Sequence, residues 1–406
     1  MPPHPAAIVS RHDLRNPLLL VTLMATVNND RLKNLFLELV QIDSLSRRER
    51  DIALRLQREL EACGAACKFD GAGERVKGNT GNLIGRIPGK VKGAPAILLC
   101  AHMDTVVPGE GVKPIVEGDI IRTDGTTVLG GDDKSGCAII CEVLHRIRES
   151  DIAHGPIDVV FTICEEVGLL GARYLDLDLI EAREGLVYDS DAPGYLFVRA
   201  PGAYVVRFTV KGLEAHAGMA PERGISAIKV AAEAIAAMRL GRIDYETTAN
   251  LGRIEGGRAL NIIPNEVIVR GEARSRDSAK LTAQVEHMVD CFKQAVAKAS
   301  VTINDQRFQA TLDYSAAPEY EAMNVPDDAP IVRKVVEAAR RVGRVIKPEA
   351  MGGGCDANIL NQRGMVVANL GTGMRDIHTV REWLDVKDMI ATAEVTLELL
   401  QLQAGA

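Results

Sequence analysis

At 406 residues, with 47% hydrophobic and 25% charged side chains, the chain has enough apolar material for two or three packed domains, or for one elaborated α/β domain. A formal net charge of -7 and an aromatic content of 4% leave no basic face for phosphates and little surface for base stacking, which argues against nucleic acid and anionic membranes as partners. The eight cysteines lack zinc-ribbon spacing, and several fall inside apolar runs, so they read as reduced thiols of a cytoplasmic protein.

Residues 1–27 are expected to form a disordered extension, and the apolar run PLLLVTL within them is much too short to span a bilayer. From Asp30, the spacing of Leu32, Leu35, Phe36, Leu39 and Val40 predicts a helix to about Gln41. A second helix is expected to start near Ser46, where SRRE has the form of a capping box, and to stop at Gly64. NLIGRIPG and PAILLCAHMD read as strands, residues 133–147 as a buried helix, and IDVVFTICEE and GLVYDSD as two further buried strands. Strands that end in carboxylates or histidine, separated by helices, predict a mainly parallel α/β sheet with a ligand site at its carboxyl edge. Over residues 201–310 the order becomes β-α-β-β-α-β, the ferredoxin-like plan, with VTINDQRF as its last strand. This unit is expected to be an inserted lid within a discontinuous α/β domain formed by residues 28–200 and 311–406.

In the strand end His102-Met103-Asp104, the imidazole and carboxylate are two residues apart and project together. Asp104 can fix the tautomer of a metal-bound His102 or approach a metal through solvent. LGGDDKSG places Asp132 and Asp133 at a glycine-rich entry to a helix; Asp132 is the candidate to bridge two cations, while Asp133 caps the helix or pairs with Lys134. Glu165 and Glu166 stand side by side after an apolar strand, an arrangement that requires nearby positive charge. One of them can ligate a metal and the other can move a proton. With Asp189 after the third strand and His378 in a late loop, the set becomes two imidazoles and three carboxylates: His102, His378, Asp132, Glu166 and Asp189. That set suits a dinuclear site for Zn²⁺, Co²⁺ or Mn²⁺. No G-x-G-x-x-G run follows a strand, which sets aside a dinucleotide site.

In HMDT, GGDDKSG, EE followed by glycine, the Asp after the third strand, KG-x4-HAG and the late His, the chain resembles the M20 family of metallopeptidases, most closely its peptidase T (tripeptide aminopeptidase) branch. The resemblance implies a zinc-peptidase catalytic domain with a lid or dimerisation domain, and hydrolysis of peptide bonds in short peptides. It implies that His102, Asp132, Glu166, Asp189 and His378 bind two divalent metal ions, most readily Zn²⁺, that Glu165 is the general acid/base, and that Asp104 orients His102. It further implies that His216, Asn261 and Arg276 contact substrate, His216 across the subunit interface in dimeric members, which allows a homodimer through the lid. Cys355 stands where many members have Ser or Thr. The 27 residues between Asp104 and Asp132 match the more compact peptidase T-like proteins and loosen the transfer of strict tripeptide specificity. Deacylation of N-acyl amino acids, and dipeptidase or carboxypeptidase-type cleavage, are the alternatives on the same scaffold.

Overall fold

The computed structural model describes residues 26–191 and 193–405, so the expected extension lies outside the described residues except for its last two positions. Helix α1 (Asn29–Val40) is opened by Asn28, whose side chain accepts the Arg31 N–H at 3.0 Å, and it buries Leu32, Leu35, Phe36 and Leu39 at helical spacing. Helix α2 (Arg50–Ala62) corrects one expectation. It starts four residues after Ser46, and no capping box forms: Asn79 takes the Arg50 N–H at 3.0 Å, while Ser46 and Glu49 turn inward to other partners.

Strands β1 (Ala66–Phe69), β2 (Leu83–Ile87), β3 (Ile97–His102), β4 (Ile157–Thr162), β5 (Glu184–Val187) and β6 (Tyr195–Ala200) belong to one large sheet. Its spatial order is β1-β2-β4-β3-β5, then Val366–Leu370, β6 and Met323–Asn324. The centre is parallel, since β3 runs parallel to both β4 and β5. Register decides where the chemistry lands. His102 pairs with Thr162 and Cys100 with Val187, so the residues just beyond β4 and β5 emerge level with the end of β3. Helix α3 (Gly131–Glu149) packs behind this edge, and every residue from Gly131 to Leu144 is buried. It lies against β3, α1 and the last helix, Val386–Gln403.

The inserted unit has a separate apolar core beneath its own sheet. Strands β7 (Gly202–Lys211), β8 (Thr247–Gly256), β9 (Glu266–Ser275) and β10 (Thr311–Tyr320) are ordered β8-β9-β7-β10 and pair antiparallel throughout. Helices α4 (Ala227–Ala236) and α5 (Ser278–Lys298) cover one face, and Phe208 of β7 stacks on Phe292 of α5 at 4.2 Å. The ferredoxin-like order holds, but its closing strand is β10. VTINDQRF folds instead as a separate hairpin, and the sheet continues past residue 310, the expected end of the insert. All eight cysteines are free, and no helix among the described residues is long and apolar enough to cross a membrane.

Candidate metal centre

The level strand ends bring His102, the Glu165-Glu166 turn and Asp189 to one edge, and two other segments complete the group. The first is the entry to α3, where Gly130 has φ +76° and Asp132 is non-helical, so its carboxylate points at β3 instead of capping the helix. The second is a loop that ends in His378, with φ +61°. Cys164 before the glutamates, with φ +53°, is another non-glycine residue in the left-handed region. Each such residue costs roughly 1–3 kcal/mol, and their presence beside the cluster marks a constrained site.

His102 is 2% exposed. Its Nε2 lies 2.9 Å from Asp132 Oδ1, and Nδ1 lies 2.9 Å from the backbone carbonyl of Asp104. That carbonyl accepts the Nδ1 proton, so it helps set the ring orientation; the Asp104 carboxylate is 3.6 Å away. The other oxygen of Asp132 is 3.2 Å from His378 Nε2, which is also 3.0 Å from Glu166. One carboxylate therefore serves two imidazoles, one per oxygen, which is the disposition a bridging ligand requires. Ligand atoms of His102, Asp132 and Glu166 lie within 4.8 Å of one another, as do those of His102, Glu165 and Asp189.

The electrostatics call for cations. Burial pushes the carboxyls of Glu165 and Asp189 well above their ordinary range, and neighbouring carboxylates add to the rise. Neither side chain accepts a hydrogen bond among the described residues. Burial also raises Glu166, aided by Asp132 and opposed by His378. For Asp132 burial works the same way, but bonds to His102 and His378 outweigh it and hold the carboxyl below its usual range. Bonds to Asp132 and Glu166 raise His378 to about 10. The imidazoles gain protons for the reason that a divalent ion would be drawn here, and two N donors among hard O donors fit such an ion.

Several residues around this group have roles the sequence did not announce. The Asp104 carboxylate accepts the N–H groups of Glu165 at 2.9 Å and Glu166 at 3.2 Å and the Ser46 hydroxyl at 2.6 Å, so it fixes the glutamate turn directly. Glu49, fully buried, accepts the Cys164 N–H at 3.0 Å. Asp133 caps α3 through the Gly136 N–H and accepts the His102 N–H, both at 3.1 Å; Lys134 instead donates to the Ile42 carbonyl at 2.7 Å. Glu382, four residues after His378, accepts the N–H groups of Leu129, Gly130 and Asp132 at 2.7, 2.9 and 3.1 Å. Burial, then the charge of Asp132, pushes its carboxyl up to about 7. Hydrogen bonds to scattered backbone groups have no sequence period, so only the short spacing from His378 hinted at Glu382.

A cleft of about 590 Å³ opens over the cluster, lined on the insert side by Arg274, Glu319 and Tyr320. Arg276, the arginine expected to face substrate, is not part of this lining. Strand β9 ends at Ser275 and the chain turns into α5 there, so Arg276 faces Glu246 at 3.8 Å and stacks over Tyr245, while Arg274 meets the cleft. His216 and Asn261 lie together, with Asn261 accepting the Ala217 N–H at 2.9 Å through its carbonyl, but both are exposed and neither lines the cleft. His216 Nδ1 accepts the N–H groups of Gly218 and Met219 at 3.2 and 3.1 Å, which leaves the proton on Nε2, pointing away as a donor. Cys355 is buried, and its Sγ receives the Asn369 side-chain amide at 3.4 Å where a hydroxyl was expected in relatives.

The sequence profile of peptidase family M20/M25/M40 matches residues 98–402. The uncharacterized protein YqjE of Bacillus subtilis (strain 168) is 41% identical over 376 residues, covering 92% of this chain and 99% of that protein. The crystal structure of the aminopeptidase PepT from Bacillus cereus ATCC 10987 is 38% identical, with a TM-score of 0.83 over 94% of this chain and all (100%) of that one. A tripeptidase from Staphylococcus aureus subsp. aureus Mu50 is 37% identical, with a TM-score of 0.87 over the same shares, 94% and 100%.

Proposed function

This chain belongs to peptidase family M20/M25/M40 and is a peptidase, and on that premise we propose that it is a dinuclear-metal aminopeptidase acting on short peptides, tripeptides among them. The observation that carries the reading is Asp132, with one oxygen on each imidazole, facing the unpartnered carboxylate of Glu165 across the same cleft. His102 and Asp189 would hold one divalent ion and Glu166 and His378 the other, with Asp132 between them; the donor set suits Zn²⁺, with Co²⁺ and Mn²⁺ as alternatives. Bound ions there supply a water of lowered pKa and polarise the scissile carbonyl.

Glu165 takes the proton of the attacking water and returns it to the departing amine, and burial raises its proton affinity toward the range that such a shuttle needs. Asp104 keeps that carboxylate aimed by holding the backbone of the turn. Arg274, in place of Arg276, offers a guanidinium to the free carboxylate of a short peptide. His216, with its proton on Nε2, is a donor for the carbonyl oxygen, and it sits beside the exposed Met219 and Leu260 on a surface suited to a second copy of the chain. A homodimer through the insert, working in the cytoplasm, is part of this proposal. The aminopeptidase and tripeptidase relatives at 38% and 37% identity favour unblocked peptides over N-acyl amino acids.

The test is a panel of di- and tripeptides and N-acyl amino acids given to metal-reconstituted protein and to Glu165→Gln. The variant should still bind two ions per chain by calorimetry while kcat falls by about 10²- to 10⁴-fold. Wild type that binds two ions and cleaves no peptide, or that prefers N-acetyl amino acids, overturns the reading.

A further inference from the structure

One carboxylate in the cleft is used neither by the proposed ion chemistry nor by the fold. Glu319 is the penultimate residue of β10, and the pairing of β10 with β7 shifts there, from Pro318 opposite Tyr204 to Tyr320 opposite Ala203. Glu319 is thus the extra residue of a bulge, a device that re-aims one side chain out of a sheet's alternation. Its carboxylate has no hydrogen bond and no ion pair among the described residues; its backbone carbonyl alone is engaged, by the Arg173 guanidinium. The carboxylate comes against the turn that carries the proposed base. A Cβ placed on Gly168 would lie 3.3 Å from Glu319 Oε1, and the Gly168 N–H donates to the Glu165 carbonyl at 3.1 Å.

The same two residues mark an end of the cleft. Gly168 and Glu319 line both the central cavity and a shallower outer hollow bounded by Val167, Tyr174 and Val205. Charge complementarity names the ligand. Two divalent ions would answer the carboxylates of the cluster, and Arg274, paired with Glu272 at 2.9 Å, keeps further N–H donors for a substrate carboxylate. Glu319 feels the positive charge of Arg274 but forms no ion pair with it among the described residues, so its oxygens stay open beside the reacting groups, and the complementary group on a peptide is a primary ammonium. We infer that Glu319 is a specificity-determining residue that binds the α-ammonium of the substrate's N-terminal residue, which limits cleavage to the first peptide bond of unblocked peptides. This rests on the aminopeptidase reading above and supplies the group that recognises the amine.

The experiment compares kcat/KM for a tripeptide with that for its N-formyl counterpart in wild type, Glu319→Gln, Glu319→Arg and Asp191→Asn. Asp191 is the control because it also lines the cleft but is exposed and near the Ser190 hydroxyl, at 3.4 Å. Wild type should prefer the free amine, and Glu319→Gln should shrink that preference by about 10- to 100-fold, the range for a charged hydrogen bond. Glu319→Arg should favour an N-succinyl peptide over the free amine, and Asp191→Asn should keep the wild-type preference. An undiminished preference in Glu319→Gln at unchanged melting temperature, or its loss in Asp191→Asn alone, overturns the inference. Wild type that cleaves neither peptide sinks the peptidase reading itself, a result distinct from cleavage of both at equal rates, which sinks only the assignment of Glu319.

Discussion

Glu382 shows how much of the centre depends on residues that touch no reactant. Its two oxygens take three backbone N–H groups on the segment that presents Asp132, and a Cβ on Gly131 would come within 2.9 Å of one of them, so segment and carboxylate are fitted closely. In Glu382→Gln an amide NH₂ would meet one of those N–H donors, leaving a buried donor unpaired. Expected are a loss of about 1–3 kcal/mol in denaturant unfolding and roughly 10- to 100-fold weaker metal binding by calorimetry. Unchanged metal affinity would reduce Glu382 to a loop brace. The residues at strand ends, His102, Glu165, Glu166 and Asp189, were legible in the sequence because an apolar run that stops on a charged group sets that charge at the rim of a core, where burial penalises it unless a counter-charge is bound. Arg274 and Arg276 were not separable in the same way. Which one meets the cleft depends on where β9 stops, and a two-residue uncertainty in a strand end is enough to exchange them.

At the scale of elements, the parallel centre was readable because β3, β4 and β5 are continuous apolar segments between helices. Strand β10 was hidden for the opposite reason. Thr311–Tyr320 is an edge strand exposed along most of its length, and its alternation of Leu312, Tyr314 and Ala316 breaks off at Ala317 and Pro318, whereas VTINDQRF has enough alternation to suggest a strand and uses it in a local hairpin. The insert's own core should make it a partly independent cooperative unit. Phe292, fully buried against Phe208, is its clearest anchor, and Phe292→Ala should cost about 3–5 kcal/mol. Calorimetry should show a lower-temperature transition for the insert, limited proteolysis should cut first between residues 201 and 320, and the stoichiometry of two ions per chain should persist. Loss of ion binding together with the insert would mean that the two cores unfold as one.

Across the whole molecule, the groups that would hold the ions come from five separate stretches, and ions that bind only the folded chain must stabilise it. With free ion at about 100 times its Kd, the gain is about 2.7 kcal/mol, growing logarithmically with concentration. Chelation should lower the melting temperature, and titrating Zn²⁺ back should restore it along that logarithm; a melting temperature indifferent to metal would remove the ions from the stability of the fold. The bond from Leu129 to Glu382 closes a span of 253 residues, and the whole insert lies within it. During synthesis, the strands that carry His102, Glu165 and Asp189 leave the ribosome long before His378 and Glu382 exist, and the insert can fold in the interval. The proposed bridge would stay unclasped and one imidazole short until the late His378 segment arrives, so the proposed ion pair would be taken up only by a nearly finished protein. On that proposal, metal capture would be timed to the end of translation.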